Sequence, residues 1–315
     1  MTEPLQDCAK NAVSSPMPQD EGILAFQKKT DAFYPPDAVS ASIAQQRAWY
    51  DALCARFSPA DPEGLTFEDG TIEGVPVRYF HPARHHSKCW LLYLHGGGFV
   101  VGSRDSHHAI CAEIADDAGA ELVAVEYRLA PEHIWPAASD DGFAVLSHLV
   151  AKGHRVVVIG DSAGANLAAG LMVRACKAGL TGTGAIAGQV LIYPALGGDV
   201  LRGSYVEMAN APGLTTQDVL YYRDILAAPD DDAVANPLCA TDLTNIPPAY
   251  ISSAFFDPLR DDGRSYAARL AQAGVNVTYR EEPQMVHGWL RARHMSAGAR
   301  IGFDHMCQAI AGFCE

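Results

Sequence analysis

The chain has 315 residues, 49% of them apolar, so it can bury a large core as one elaborated α/β domain or as two smaller domains. It carries 23 Lys and Arg against 37 Asp and Glu, which gives a formal net charge of −14. This acidic balance argues against a nucleic-acid or anionic-membrane partner and favours a small-molecule partner.

The N-terminal sequence MTEPLQDCAKNAVSSPMPQDEG shows neither the basic start nor the apolar run of a signal peptide. No segment approaches the roughly 20 continuous apolar residues that a membrane span needs. Eight cysteines are scattered singly from Cys8 to Cys314, without Cys-x-x-Cys spacing. Reduced thiols of this kind are typical of cytosolic proteins, so we expect a cytoplasmic protein.

Apolar, strand-like runs alternate with segments of helical period along most of the chain. The runs are residues 89–94, 121–127, 155–159, 189–193, 249–254 and 275–279. This alternation predicts a mostly parallel sheet covered by helices. Ahead of the first run, residues 71–80 alternate in the manner of an exposed antiparallel strand, which we expect at the sheet edge.

Two helical regions fall outside this alternation. Residues 1–57 contain Ser42 and Gln45 in capping-box spacing, and a second helix is predicted to begin at Thr215. Helices outside the alternation commonly lie over the active end of a sheet. We therefore expect a cap, formed by residues 1–57 and an insert at about 198–230, on a catalytic domain of residues 58–315. The alternative is that these helices are packing layers with no role in binding.

A single serine, Ser162, stands between Gly160 and Gly164 where a buried run gives way to a predicted helix at residues 163–176. A strand, a tight Gly-x-Ser-x-Gly turn and a helix are the context of a nucleophile elbow. Such a turn exposes the serine hydroxyl and sets the N–H groups of the helix start, Ala163 first, towards a developing negative charge. A dinucleotide-binding loop would need glycine at position 162, so that alternative fails.

A serine nucleophile needs a base and an acid that orients the base, and on this kind of fold both come later in the chain. Asp257 is the first acid after the run at 249–254, and His287 is the only histidine in the predicted loop EEPQMVHGWL. Both stand where the mechanism requires them. Asp261 and Asp262 fall on the first turn of the next helix, where acids ordinarily complement the helix dipole.

Three glycines directly follow the first buried run, in the sequence LLYLHGGGF at residues 91–99. They free the backbone to aim its N–H groups inward, as the HGGG motif of lipases and esterases does when it builds an oxyanion hole. A phosphate-binding loop would need Gly-Lys-Ser or Gly-Lys-Thr after four residues, where this chain reads GGFVVGSR.

Five motifs in chain order, HGGGF, EYRLAPE, GDSAG, DPLRDDG and VHG, resemble the hormone-sensitive-lipase branch of the α/β-hydrolases, the GDSAG-type bacterial carboxylesterases. The resemblance covers the chain from about residue 80 to the C-terminus. More narrowly, SIAQQRAWY, GLTTQDV and FFDPLRDD resemble the bacterial acetyl esterases of that branch. The resemblance to the hormone-sensitive-lipase branch implies an α/β-hydrolase fold with a mostly parallel sheet of about eight strands, helices on both faces and a helical cap.

The resemblance also implies roles for individual residues. Ser162 would be the nucleophile, His287 the base and Asp257 its orienting acid. The oxyanion N–H groups implied are those of Gly96, Gly97 and Ala163. The implied reaction is the hydrolysis of short-chain acyl esters, of acetyl or butyryl type, through an acyl-enzyme and without a cofactor or a metal.

Three further residues match motif positions, and we interpret them as structural. His95 is expected to shape the glycine loop, and Arg128, after Tyr127, is expected to tie a loop to a neighbouring carboxylate. One stretch departs from the family pattern: EEPQM, before His287, replaces the more usual tyrosine, proline and glycine sequence. The shape of that predicted loop is therefore open, whereas the triad is unaffected.

Other functions stay open at this stage. A small-molecule-binding protein on the same fold is one, although a receptor would need no base at His287. Hydrolysis of amides, lactones or carbamates would use the same three groups. Metal catalysis is not expected, since the sequence has no His-Glu-x-x-His pattern. The predicted partner is a small ester, with no nucleic acid and no membrane, and the chain is expected to be a monomer or a homodimer.

Overall fold

An eight-stranded sheet runs through the centre of the protein, in a computed structural model that describes residues 17–35 and 38–315. Residues 1–16 of the predicted cap lie outside the described residues. The strands are β1 (Thr66–Ile72), β2 (Val75–His81), β3 (Cys89–Leu94), β4 (Glu121–Val125), β5 (Arg155–Asp161), β6 (Ile186–Ile192), β7 (Ala249–Phe256) and β8 (Val277–Val286). Their spatial order is β1-β2-β4-β3-β5-β6-β7-β8. The six strands β3 to β8 pair in parallel with one another.

Helices connect the parallel strands and cover both faces of the sheet. They are α1 (Glu21–Asp31), α2 (Ile43–Arg56), α3 (His108–Ala118), α4 (Ala137–Ala151), α5 (Ala163–Lys177), α6 (Ser204–Glu207), α7 (Thr216–Leu226), α8 (Arg260–Gln272) and α9 (Ala297–Cys314). One core packs α3 and α9 on the sheet, and the other packs α4, α5 and α8 on the opposite face. No helix in the described part of the chain is long and apolar enough to cross a membrane.

The central strands consist of apolar runs because both of their faces are covered. All seven residues of β6 are buried, and so are six of the seven in β5. The six predicted runs correspond to β3 through β8, and the predicted mostly parallel α/β architecture is confirmed. These strands all point their carboxyl ends at the same edge of the sheet, where the candidate site lies.

The prediction for residues 71–80 is confirmed in its antiparallel direction and its place at the sheet edge, but it is wrong in giving one strand, because the structure has two strands there. β1 and β2 form an antiparallel hairpin whose turn is Glu73 and Gly74, with φ of 49° and 81°. Positive φ at both central residues suits a tight two-residue hairpin turn. The turn places Ile72 and Val75, three residues apart, on the same buried face, so the alternation shifts by one residue at Glu73 and Gly74.

The loop predicted before His287 is also wrong, since EEPQM belongs to strand β8, which continues to Val286. Pro283 falls where the pairing of β8 with β7 is irregular, between the pairs Ala254–Glu282 and Phe256–Val286. β8 lies at the end of the sheet, and edge strands and bulges tolerate proline. The unusual sequence therefore carries the strand directly to His287.

Both helices predicted outside the alternation are present. Ser42 caps α2 by accepting a hydrogen bond from the Gln45 N–H, and Thr215 caps α7 in a reciprocal box with Asp218. These polar caps satisfy N–H groups that a helix start leaves without intrahelical partners. The caps fix where each helix begins, and both helices lie at the edge of the sheet that carries the strand ends.

Candidate active site

The turn between β5 and α5 holds Ser162 in a backbone conformation that few residues adopt, with φ of 54° and ψ of −118°. Two glycines permit this turn by their lack of side chains. A Cβ on Gly160 would lie 2.2 Å from the carbonyl oxygen of Gly164, and a Cβ on Gly164 would lie 2.0 Å from that of Leu94. The observed contacts therefore agree with the sequence argument for an elbow that projects the serine hydroxyl.

The structure brings together the three side chains predicted as a triad. His287 Nε2 lies 2.9 Å from Ser162 Oγ, and His287 Nδ1 lies 2.7 Å from Asp257 Oδ2. Both distances are within the range of ordinary hydrogen bonds. The arrangement can pass the serine proton to the imidazole while the carboxylate fixes the ring orientation.

Asp257 is fully buried at the end of β7, where its second oxygen accepts a 2.8 Å hydrogen bond from the Leu259 N–H. The neighbouring acids face elsewhere. Asp262 is also buried, and it accepts hydrogen bonds from the N–H groups of Leu196 and Gly198 in the loop after β6. Burial raises the pKa of Asp262 to about 6. The sequence predicts that Asp262 only complements the helix dipole. In the structure it also supports the loop after β6.

The glycine loop after β3 supplies N–H groups beside Ser162, but not the set that the sequence implied. The Gly96 N–H donates a 2.9 Å hydrogen bond to Asp161 Oδ1, so it cannot also hold an oxyanion, and its predicted role is wrong. Among the described residues, no acceptor is found for the N–H groups of Gly97, Gly98 and Ala163. These three are the available donors, with Gly98 in the place predicted for Gly96.

Asp161 is buried directly before Ser162 and anchors several side chains. Its Oδ1 accepts hydrogen bonds from the Gly96 N–H and, at 2.8 Å, from the Tyr93 hydroxyl, and Nε2 of His107 lies 3.5 Å away. Burial by itself raises the pKa of Asp161, but the contacts with His107, Arg291 and the tyrosine hydroxyl outweigh it and hold the pKa below its usual value. The carboxylate is therefore ionised at neutral pH.

Arg291 supplies the positive charge of this buried cluster. It donates hydrogen bonds to His107 Nε2 at 3.0 Å, to the Ser106 carbonyl at 3.1 Å and to the Tyr50 hydroxyl at 3.0 Å. Burial lowers the pKa of His107, the Asp161 carboxylate opposes this shift, and the Arg291 guanidinium adds to it. His107 therefore lies between the two opposite charges of the cluster, those of Asp161 and Arg291.

His95 and Arg128 make the structural contacts predicted for them. His95 Nδ1 lies 2.8 Å from the Gly96 carbonyl, and the Tyr127 hydroxyl donates to the His95 carbonyl at 2.6 Å. Burial lowers the pKa of His95 to about 3, so the ring is neutral. Arg128 binds the Asp141 carboxylate with its side chain and its backbone N–H. These contacts hold the loops on either side of the glycine segment.

A cavity of about 1070 Å³ opens above Ser162 and His287. Its walls include residues from both helical regions that the sequence placed outside the alternation, among them Phe26, Tyr50 and Tyr222. A cavity of this size corresponds to the largest small-molecule sites. Within the described residues, no group of three or more His, Cys, Asp or Glu side chains is placed to hold a metal ion.

Sequence reasoning missed the buried cluster of Asp161, His107 and Arg291. The one available signal was the position of Asp161 between a buried strand and the elbow, since a buried carboxylate requires a charged or hydrogen-bonding partner. His107 and Arg291 gave no signal, because they come from the start of α3 and a short 3₁₀ helix and meet only in three dimensions. Gly98 belonged to the glycine motif but was not singled out.

Residues 91–291 match a family described as having the alpha/beta hydrolase fold. The chain belongs to this family. It is 34% identical to the carboxylic ester hydrolase LipN of Mycobacterium tuberculosis over 291 residues, which cover 87% of this chain and 77% of that protein. It is 37% identical to the ethyl acetate hydrolase of Pseudomonas putida, with 78% of this chain and 80% of that protein covered.

Solved structures agree with this assignment. The carboxylesterase EstE1, cloned from a metagenomic library, superposes with a TM-score of 0.80 at 29% identity, covering 88% of this chain and 99% of that one. The predicted family, fold and enzyme class are confirmed: the chain is a carboxylic ester hydrolase with the α/β-hydrolase fold. The roles of individual residues and the choice of substrate are separate questions.

Proposed function

We propose that this hydrolase cleaves short-chain acyl esters, of acetyl or butyryl type, through an acyl-enzyme on Ser162. The observation that carries the proposal is the unbroken line of hydrogen bonds from Ser162 through His287 to the buried Asp257, at 2.9 and 2.7 Å. At its Ser162 end the line opens into the cavity, beside backbone N–H groups for which residues 17–35 and 38–315 provide no acceptor. This arrangement supports a serine nucleophile activated by a histidine base.

In the first step, Ser162 Oγ attacks the ester carbonyl carbon while His287 Nε2 accepts the hydroxyl proton. The carbonyl oxygen gains negative charge, and the N–H groups of Gly97, Gly98 and Ala163 are the donors that stabilise it. The C–O bond to the alcohol then breaks, and His287 returns the proton to the leaving alcohol. The product of this step is an ester between the acyl group and Ser162.

In the second step, water takes the place of the alcohol. His287 accepts a proton from the water as it attacks the acyl carbon, and the same N–H groups stabilise the second oxyanion. The bond to Ser162 breaks, the serine recovers its proton from His287, and the carboxylic acid leaves. Asp257 keeps the imidazole oriented and stabilises its charged form throughout, so the chemistry requires no cofactor.

Two relatives support a short acyl group by their names. One is the ethyl acetate hydrolase of Pseudomonas putida, and another is an acetyl-hydrolase of Streptomyces hygroscopicus, which is 34% identical over 226 residues. We extend the short acyl preference from them to this chain. The cavity of about 1070 Å³ leaves room for a larger alcohol beside a short acyl group.

We also propose that the helical regions at the strand ends act as a cap over the site. Tyr34 and Tyr50 come from the N-terminal region, Val219 and Tyr222 come from the insert, and all four line the cavity. A cap of this kind screens the site from water and shapes the alcohol pocket.

The cytoplasmic location stays a prediction, in keeping with the seven described cysteines, which are all free thiols.

Hydrolysis of a series of p-nitrophenyl esters from acetate to palmitate tests the proposal. We expect kcat/KM to peak at acetate or butyrate and to fall steeply for longer acyl chains. A peak at long chains would refute the acyl preference while leaving the ester hydrolase intact. No hydrolysis of any ester by folded protein would instead favour a non-ester substrate, such as an amide, lactone or carbamate, or a binding role.

A further inference from the structure

The glycine loop that carries two of the free N–H groups is held from the cap side by an aromatic ring. A Cβ placed on Gly98 would lie 2.4 Å from Cγ and 2.5 Å from Cδ1 of Tyr222, so the ring of Tyr222 packs directly against the Gly98 backbone. Tyr222 belongs to α7 in the insert. The contact is possible only because residue 98 has no side chain.

The same loop is also held by α2. The Arg47 guanidinium donates a 2.8 Å hydrogen bond to the Val100 carbonyl and a 3.1 Å hydrogen bond to the Ala130 carbonyl. Glu132 fixes the guanidinium through two further hydrogen bonds, of 2.9 and 2.7 Å. Ala130 in turn donates its N–H to the Phe99 carbonyl at 2.9 Å. Arg47 therefore ties the loop to the segment beside it.

The loop has few side chains of its own to fix its backbone, and one of its three central residues, Phe99, is in a costly backbone conformation. Gly97, Gly98 and Phe99 have φ of 127°, 59° and 65° in succession. Positive φ is costly for a residue such as phenylalanine, and glycine has no side chain that could anchor the chain. Stabilisation of an oxyanion depends on donors that are already in place before the charge develops.

We propose that Tyr222 is a positioning residue, which holds the Gly98 N–H in the orientation that stabilises the oxyanion, with Arg47 as a second support of the same loop. The inference rests on the proposed function and adds that the two cap helices belong to the catalytic apparatus. Helices that only screen the cavity would change substrate binding. Helices that position the loop change the rate of the chemical steps.

Kinetics of variants on p-nitrophenyl butyrate separate these two roles. We expect Tyr222→Ala to lower kcat about 10- to 100-fold with little change in KM, somewhat less than the loss of a complete donor. Tyr222→Phe keeps the ring, and no partner of its hydroxyl is found among the described residues, so near wild-type kcat is expected. Tyr222→Leu serves as a second truncation if the alanine variant does not fold.

Two matched variants control for general damage to the cap. Tyr221 is the neighbouring residue on α7, and its hydroxyl accepts a hydrogen bond from Gln46. The ring beside Gly98 is that of Tyr222, not that of Tyr221. Tyr221→Ala is expected to retain kcat within about threefold. Arg47 is not among the residues that line the cavity, so Arg47→Met tests the loop without touching substrate. We expect it to lower kcat about 3- to 10-fold, whereas Arg56→Met on the same helix leaves kcat unchanged.

Inhibition by a matched pair of ketones gives a second readout. 1,1,1-Trifluorohexan-2-one is expected to form a tetrahedral adduct with an oxyanion, whereas hexan-2-one resembles the bound substrate. The inhibition constant of the trifluoroketone should rise in Tyr222→Ala by about the factor by which kcat/KM falls, and that of hexan-2-one should not change.

The proposal is overturned if Tyr222→Ala and Tyr222→Leu raise KM with unchanged kcat, or if both ketones weaken equally, because either result describes a substrate contact. It is also overturned if Tyr222→Phe loses as much activity as Tyr222→Ala. Failure of the proposed function would appear differently, as wild-type protein without esterase activity, before any variant is compared.

Discussion

The backbone N–H of Gly96 donates a 2.9 Å hydrogen bond to the carboxylate of Asp161, the residue that immediately precedes Ser162. This bond connects the loop after β3 to the elbow after β5, so the two sources of free N–H groups are fixed relative to each other. His107 lies against the Asp161 carboxylate and accepts a hydrogen bond from Arg291, so the candidate site is built on a buried cluster that holds both an anion and a cation.

Loss of this carboxylate should be costly. We expect Asp161→Asn to lower the free energy of unfolding by about 3 to 5 kcal/mol, because Arg291 is left as an uncompensated buried charge. Urea denaturation measures the change. Asp140→Asn is the matched control, since Asp140 and Arg174 form an exposed pair at 2.7 Å and such pairs contribute about 0 to 1 kcal/mol. Equal, small losses in both variants would contradict a role for Asp161 in balancing the buried charge of Arg291.

The orienting acid can be distinguished from its neighbours by kinetics. Asp257→Asn should lower kcat about 10,000-fold, because the imidazole loses its correct tautomer. Asp261→Asn should change kcat by less than about tenfold, since that carboxylate accepts from the Ser204 N–H and pairs with Arg264, away from His287. Steady-state hydrolysis of p-nitrophenyl butyrate is the measurement. The reverse order of effects would assign the acid to Asp261.

The elbow glycine should tolerate no side chain. Gly164→Ala places a methyl group 2.0 Å from the Leu94 carbonyl oxygen, and we expect a loss of more than about 3 kcal/mol in the free energy of unfolding. Gly312→Ala in α9 meets nothing within 4 Å, so it should be neutral or stabilising by up to about 1 kcal/mol. Chemical denaturation of both variants is the test, and a stable Gly164→Ala would disprove the tight turn.

Stability should depend on pH through Asp262. Burial raises its pKa from 3.8 to about 6, so the folded state binds a proton more tightly than the unfolded state. The contribution of Asp262 is therefore greatest below pH 3.8 and is lost as the pH rises through about 6. Relative to Asp262→Asn, wild type should lose up to about 3 kcal/mol between about pH 4 and pH 7.5. A constant difference across that range would contradict the raised pKa.

Local sequence patterns were enough to predict most of the sheet and the three side chains that meet in the candidate triad. Apolar runs define strands when both faces are covered, and Ser162 and Asp257 each directly follow such a strand. These features depend on neighbours in the chain. The hairpin at Glu73 and Gly74 escaped prediction because its turn is only two residues long and shifts the alternation by a single residue.

Features that depend on the environment could not be predicted. The stretch EEPQM contains charges and Pro283, and it is a strand only because β8 lies at the edge of the sheet. Gly96 and Gly98 have the same residue type in one motif, and only the approach of Asp161 decides which N–H is free. Distant packing of this kind leaves no mark in residue spacing.

The proposed mechanism requires that Ser162 becomes acylated during ester hydrolysis. To test this step, the protein is mixed with excess p-nitrophenyl acetate and quenched with acid within milliseconds, and any added acetyl group is located by peptide mass spectrometry. We expect an added acetyl group on the peptide containing Ser162 and none in folded Ser162→Ala, which should also have no esterase activity. Acetylation at another residue, or wild-type turnover by folded Ser162→Ala, would rule out Ser162 as the nucleophile.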